Sequence, residues 1–235
     1  MSQTTTFDDV READLEPDVM PPLISGDRLT RREFERRYNQ TPRHFKAELI
    51  EGRVYVASPV RYYSHGRPHG NLMTWLGTYA AMTPGVEVAD NATVRLDTDN
   101  EPQLDALLRL PPALGGTSFI TGDDYVEGPP ELVIEIAASS AAYDLYDKRD
   151  VYRRNGVREY AVWQIYEQKF EWWALQDEVY QPLPAEEGVI KSCVFPGLWL
   201  HAPALLAGDM AKVLVTLQQG TASAEHATFK SQLAR

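Results

Sequence analysis

The chain has 235 residues, a formal net charge of −11 and a single cysteine. That length supports one sizeable domain with a buried core plus tails, and the acidic balance counts against a protein that coats nucleic acid through its overall field. No run of apolar residues is long enough to span a membrane, the acidic N-terminus lacks the apolar core of a secretory signal, and Cys193 has no partner for an internal disulfide, which together point to a reducing, cytoplasmic setting.

In chain order, residues 1–26 are acidic and without periodicity, and are expected to form a disordered or loosely attached arm that could be deleted without loss of fold. Residues 27–235 then read as a single domain. Thr30 to Glu33 fits a capping box, with Thr30 as N-cap and Glu33 reaching back, ahead of a short helix to about Tyr38. Residues 47–58, AELIEGRVYVAS, predict a β-hairpin turning at Glu51-Gly52. Leu72, Trp75, Leu76 and Tyr79 make one apolar helix face between about Arg67 and Met82, with Pro68 tolerated in the first turn.

Two short strands are expected at 86–90 and 93–97, another at 104–110, and a loop over 111–130. Residues 131–138, ELVIEIAA, have the near-continuous apolar character of a central strand. Ser139 or Ser140 can cap the following helix, which should end at Asn155-Gly156. Residues 159–165 and 169–175 predict a hairpin in which Trp172 and Trp173 alternate, one in the core and one exposed. A strand is expected at 189–195, with Cys193 as a small buried hydrophobe. From about Ala204 the chain turns helical, with an interruption near Gly220. The pattern is one α/β domain, a mixed sheet flanked by helices.

Two acids interrupt the apolar logic of their strands. Glu135 lies within LVIEIA and Asp105 within LDALLRL. A carboxylate in a central strand costs several kcal/mol, order of magnitude, unless it is paired or binds a metal. Each alone is as well explained by a solvent-facing strand end or an ion pair, for Asp105 with Arg109. Two in neighbouring strands favour a shared cation, and an oxygen-only set suits Mg²⁺ or Mn²⁺. Lys148 shares a helix face with Asp144 and Tyr152. On spacing alone it is a surface partner of Asp144, but the strand–helix connection can fold it back over the strand of Glu135, where it could position a water and neutralise phosphate charge. Glu48, at the start of the first hairpin strand, is by itself a weak signal. His65 and His69 have an H-x3-H spacing, a weak indication of zinc without cysteines or a paired glutamate.

The ordered series AELIEGRVYVASPV, HGRPHGNLMTWLGTY, PQLDALL, PPELVIEIAASS, DLYDK and YRRNGVREYAVW resembles the Uma-two family of predicted restriction endonucleases, a branch of the PD-(D/E)XK nuclease superfamily. The resemblance spans roughly residues 28–200. It implies a restriction-endonuclease-like mixed sheet with an N-terminal β-hairpin extension. It matches Asp105 to the aspartate of the Pro-Asp half-motif, Glu135 to the acid of the second strand, and Lys148 to a lysine moved from strand to helix. Glu48 matches a hairpin glutamate and His65 a histidine before the first long helix. Leu104 stands where proline is usual, and Ala137 where the parent motif has lysine, so activity depends on Lys148.

The expected function is Mg²⁺- or Mn²⁺-dependent hydrolysis of phosphodiesters in DNA. Asp105 and Glu135 would be metal ligands, Glu48 an additional one, and Lys148 would serve the water. A homodimer would suit cutting both strands of a duplex. The rivals are a nuclease-fold protein that binds DNA or a protein partner without cutting, and a hydrolase of small phosphodiesters, which the acidic charge favours.

Overall fold

The structure, a computed structural model, describes residues 20–138 and 143–234. Thr30 caps helix α1 (Arg31–Tyr38) by accepting from the Glu33 N–H, while the Glu33 carboxylate is taken by Arg36 and Arg37. Two arginines within one turn offer that carboxylate charged donors. Strands β1 (Ala47–Ile50) and β2 (Arg53–Val56) form the expected hairpin. Glu51 and Gly52 both have positive φ (54° and 66°), as a two-residue type I′ turn requires.

The hairpin and α1 enclose a small core of their own, made by Leu23, Phe34, Ala47, Leu49 and Val54. Leu23 is 6% exposed, and the Gly26 N–H donates to the Val54 carbonyl. The boundary of the arm is therefore corrected: its last residues belong to the fold, because Leu23 completes the hairpin's apolar face.

A π-helical turn at Tyr62–Gly66 leads into α2 (Arg67–Met82). Residues 86–97, expected as two strands, form one, β3 (Glu87–Arg95). Asn91 takes a φ of 48° within it without shifting the register against β4 (Gln103–Arg109). The expected loop over 111–130 contains a single 3-10 turn at Pro112–Leu114 and two short strands, β5 (Phe119–Ile120) and β6 (Val126–Glu127). Then follow β7 (Leu132–Ala137), a π-helical turn at Tyr143–Lys148, α3 (Arg149–Arg154), β8 (Glu159–Gln164), β9 (Lys169–Gln176) and β10 (Val179–Pro182). Ser139 and Ser140 lie outside the described residues.

The main sheet has the order β10-β9-β8-β7-β4-β3-β6-β5 among the described residues. The β7–β8 and β3–β6 pairs are parallel and the others antiparallel. The β7-to-β8 crossover carries α3 and puts that helix on one face. There Val151, Tyr152 and Val157 pack on Val133, Tyr160 and Val162. On the other face Leu72, Trp75, Leu76 and Tyr79 of α2 meet Ala106, Leu108, Ile134 and Trp172. Burying such side chains contributes roughly 1.5–3 kcal/mol each. Because both faces are covered, Trp172 and Trp173 are both buried, at 2% and 7% exposure, and the expected exposed tryptophan is absent.

A small second sheet, β11 (Ala185–Glu186), β12 (Val189–Lys191) and β13 (Trp199–His201), follows. The strand expected to reach residue 195 stops at Lys191. Ser192, Cys193 and Val194 turn around the buried Glu159 carboxylate, which accepts from the Cys193 and Val194 N–H groups. Cys193 is exposed rather than buried, because its backbone, not its thiol, serves that turn. Helices α4 (Ala202–Ala207), α5 (Met210–Thr221) and α6 (Ala224–Leu233) close the chain. The interruption expected near Gly220 falls at Ala222–Ser223. Gly220 stays helical, and a Cβ there would collide with the Gly197 carbonyl.

Candidate active site

Strands β4 and β7 pair with Ala106 opposite Ile134. One step further along that register, Asp105 stands across from Glu135, and opposed residues point to the same face. The two are cross-braced: the Ile136 N–H donates to Asp105 Oδ2 at 2.7 Å, and the Asp105 N–H points at Glu135 Oε2 at 3.5 Å. The carboxylates thus take over as acceptors where the paired register between β4 and β7 ends. Arg109, the alternative partner for Asp105, is turned instead to Glu87 and Ser118.

Lys148 closes the π-helical turn after β7, and such turns alter the helix register, often at functional sites. Its side chain is 5% exposed, and Nζ lies 3.1 Å from both Glu48 Oε2 and Glu135 Oε1. One helical turn on, the Tyr152 hydroxyl donates to Glu135 Oε1 at 2.6 Å. The helix face shared by Lys148 and Tyr152 is therefore directed at the sheet; the Asp144 side chain lies outside the described residues. Glu48, from β1, also accepts from the Gln103 N–H at 3.2 Å.

His65 and His69 converge on Asp105. His65 Nε2 is 2.9 Å from Asp105 Oδ1, and His69 Nε2 donates to the Asp105 carbonyl at 2.9 Å. Their rings stack 5.6 Å apart. Burial raises the Asp105 pKa, but the His65 bond and charge, the Ile136 N–H and Lys148 outweigh it and hold the carboxyl below its usual range. Burial, with Glu135 alongside, pushes the Tyr152 hydroxyl well above its ordinary pKa, so it stays a donor. Glu48, His65, Asp105, Glu135 and Lys148 line a cleft of about 320 Å³ between the hairpin and the His65 turn, with His69 and Tyr152 behind its wall.

The chain matches the Uma2 family, described as "Putative restriction endonuclease", over residues 31–203. It belongs to that family. Among solved structures it is similar to a "putative nuclease belonging to DUF820" from Anabaena variabilis, with 10% identity and a TM-score of 0.52, over 77% of this chain and 97% of that one. That likeness speaks for the fold. No match was found among curated proteins.

Uma2 membership supports an enzyme of nuclease type. In this Uma2 chain Ala137 is wholly buried, and Lys148 brings an ammonium to Glu135 from the next helix. Glu48, His65, Asp105, Glu135 and Lys148 all line one cleft. Tyr152, which periodicity marked only as a face-mate of Lys148, holds Glu135; its signal was the four-residue spacing. His69 was visible only as half of a weak metal pair, and its contact with a backbone carbonyl had no local signature.

For a metal, the donor chemistry is two carboxylates, with no soft ligand. Among the described residues no group of three or more His, Cys, Asp or Glu side chains is arranged to hold an ion. Asp105 and Glu135 alone still fit Mg²⁺, which keeps several waters and binds proteins through one or two carboxylates. None of the observed contacts favours zinc, since both histidines are directed at Asp105. Nor, among the described residues, is any helix long and apolar enough to cross a membrane.

Proposed function

We propose that this Uma2-family chain is a metal-dependent endonuclease that hydrolyses phosphodiester bonds in DNA. The observation that carries the proposal is the meeting of Lys148 Nζ with Glu135 Oε1, on the face that Asp105 shares. Asp105 and Glu135 would hold Mg²⁺ or Mn²⁺. When bound, such an ion lowers the pKa of a coordinated water and neutralises charge on the phosphoryl oxygens.

The chain's own residues prepare the rest. His65 and the Ile136 N–H fix the Asp105 carboxylate in its ionised form. Tyr152 orients Glu135. Glu48 holds the Lys148 ammonium at the cleft floor, where its donors can meet negative charge developing on the phosphate. Glu48 thus anchors Lys148 and would add a further carboxylate ligand to the ion.

The test is cleavage of plasmid DNA with Mg²⁺ or Mn²⁺ by the parent protein and by Glu135→Ala, with metal binding followed by calorimetry. The parent should bind the ion and cut, and Glu135→Ala should lose both. A parent that binds DNA but cuts neither DNA nor small phosphodiesters with either ion would leave the fold as a binding module.

A further inference from the structure

A second cavity of about 660 Å³ adjoins the carboxylate cleft, sharing Ser58, Val60, His65 and Ile136 with it. Its far wall includes Arg61 and Tyr166. That size lies within the range of ordinary ligand sites. Tyr166 stands in the turn between β8 and β9 and is 64% exposed. Val60, Tyr62 and Tyr63, beside Arg61 in the chain, are 65–75% exposed. The Arg67 guanidinium lies 5.9 Å from the centre of the Tyr63 ring. Of these exposed side chains Val60 and Tyr166 line the cavity itself, and large apolar side chains that meet at a cavity, rather than stand scattered singly, mark a binding surface.

We infer that this second cavity is a nucleotide subsite, in which an unpaired base stacks on Tyr166 while an adjoining phosphate meets Arg61. The strand taken into the active site is then single-stranded or locally opened. The inference rests on the nuclease reading and names its substrate class. One point of chemistry and two observations converge on it. A base within a duplex has its faces covered, whereas an unpaired base offers one to a tyrosine ring. The net charge of −11 suits a protein that binds through stacking better than one that binds a duplex through many phosphate contacts. The Glu135 and Lys148 side chains are only 3% and 5% exposed, so the scissile backbone must enter a recess rather than lie on an open face.

The experiment measures fluorescence anisotropy of labelled oligonucleotides in Ca²⁺: a single DNA strand, its duplex and the RNA of the same sequence. In parallel, hydrolysis of bis(p-nitrophenyl) phosphate is followed in Mn²⁺. The parent should prefer the single strand to the duplex. Tyr166→Ala should weaken single-strand binding roughly five- to 150-fold, the range for one lost stack. Tyr166→Trp should restore it. An RNA preference would keep the subsite and replace DNA as the strand. Equal affinity for single strand and duplex, or no change in Tyr166→Ala, overturns the subsite and leaves the nuclease reading intact. Tyr166-dependent binding without hydrolysis of any phosphodiester keeps the subsite and overturns the nuclease reading.

Discussion

Tyr152 donates its hydroxyl to Oε1 of Glu135 over 2.6 Å, and the same oxygen faces the Lys148 ammonium at 3.1 Å. Both donors come from one face of the helical segment that follows β7. Tyr152 is fully buried, so removal of its hydroxyl leaves Glu135 short of a donor that water cannot easily replace. A hydrogen bond to a charged group contributes about 1.5–3 kcal/mol. Tyr152→Phe should lower stability by about that amount and slow DNA cleavage roughly tenfold through a less fixed carboxylate. Denaturant melts and single-turnover rates read the two effects. Parent-like values in both would remove Tyr152 from the site.

Lys148→Met should cut the cleavage rate by at least tenfold, and by roughly 10²–10³ if the ammonium meets transition-state charge. It also leaves Glu48 and Glu135 without the cation between them. Breaking one partner of a buried pair typically costs about 3–5 kcal/mol, so the variant should melt earlier than the parent in EDTA. Mn²⁺ should recover more stability in Lys148→Met than in the parent, because a divalent ion supplies the missing positive charge. Cleavage at the parent rate would mean that another residue serves the water.

Away from the cleft, Glu101 is 2% exposed and lies beside Glu35, with Arg95 reaching toward both. Burial, then the Glu35 hydrogen bond and charge, push its pKa from 4.5 up to about 8, against the pull of Arg95 and Arg31. The folded chain therefore keeps a proton that the unfolded chain releases above about 4.5. This contribution to stability is fully present below that pH and is lost as pH rises toward about 8. Glu101→Gln, which imitates the protonated form, should flatten the decline by on the order of 1 kcal/mol or more across that window. Urea melts from pH 5 to pH 8 test it; parallel curves for parent and variant would contradict it.

Leu23 sits in the small core under the hairpin. Leu23→Ala should cost about 2–5 kcal/mol, the usual range for a buried leucine truncation. Deletion of residues 1–26 should cost at least as much, since it also removes the Gly26 bond to Val54. An unchanged melting temperature after either change would return Leu23 to the arm.

Local pattern was enough for much of this protein. An apolar run with one acid in it marked β7 and Glu135, since a lone carboxylate among Leu132, Val133, Ile134 and Ile136 needs a compensating partner wherever the strand lies. Thr30 as a cap and Glu51-Gly52 as a turn are set by backbone donors and φ preferences within a few residues. The ordered motifs carried the family. Contacts between distant segments were decided only by the tertiary structure. Periodicity placed Lys148 and Tyr152 on one helix face but could not say whether that face met solvent or sheet; the β7-to-β8 crossover turned it toward Glu135. The same holds for His65 and His69, aimed at Asp105 by the approach of the α2 N-terminus to β4, for Trp172 and Trp173, both buried because each face of the sheet is covered, and for Cys193, left exposed where the chain wraps Glu159. A residue's neighbours in sequence determine its conformation and the face it shares, while what that face meets depends on how the layers stack.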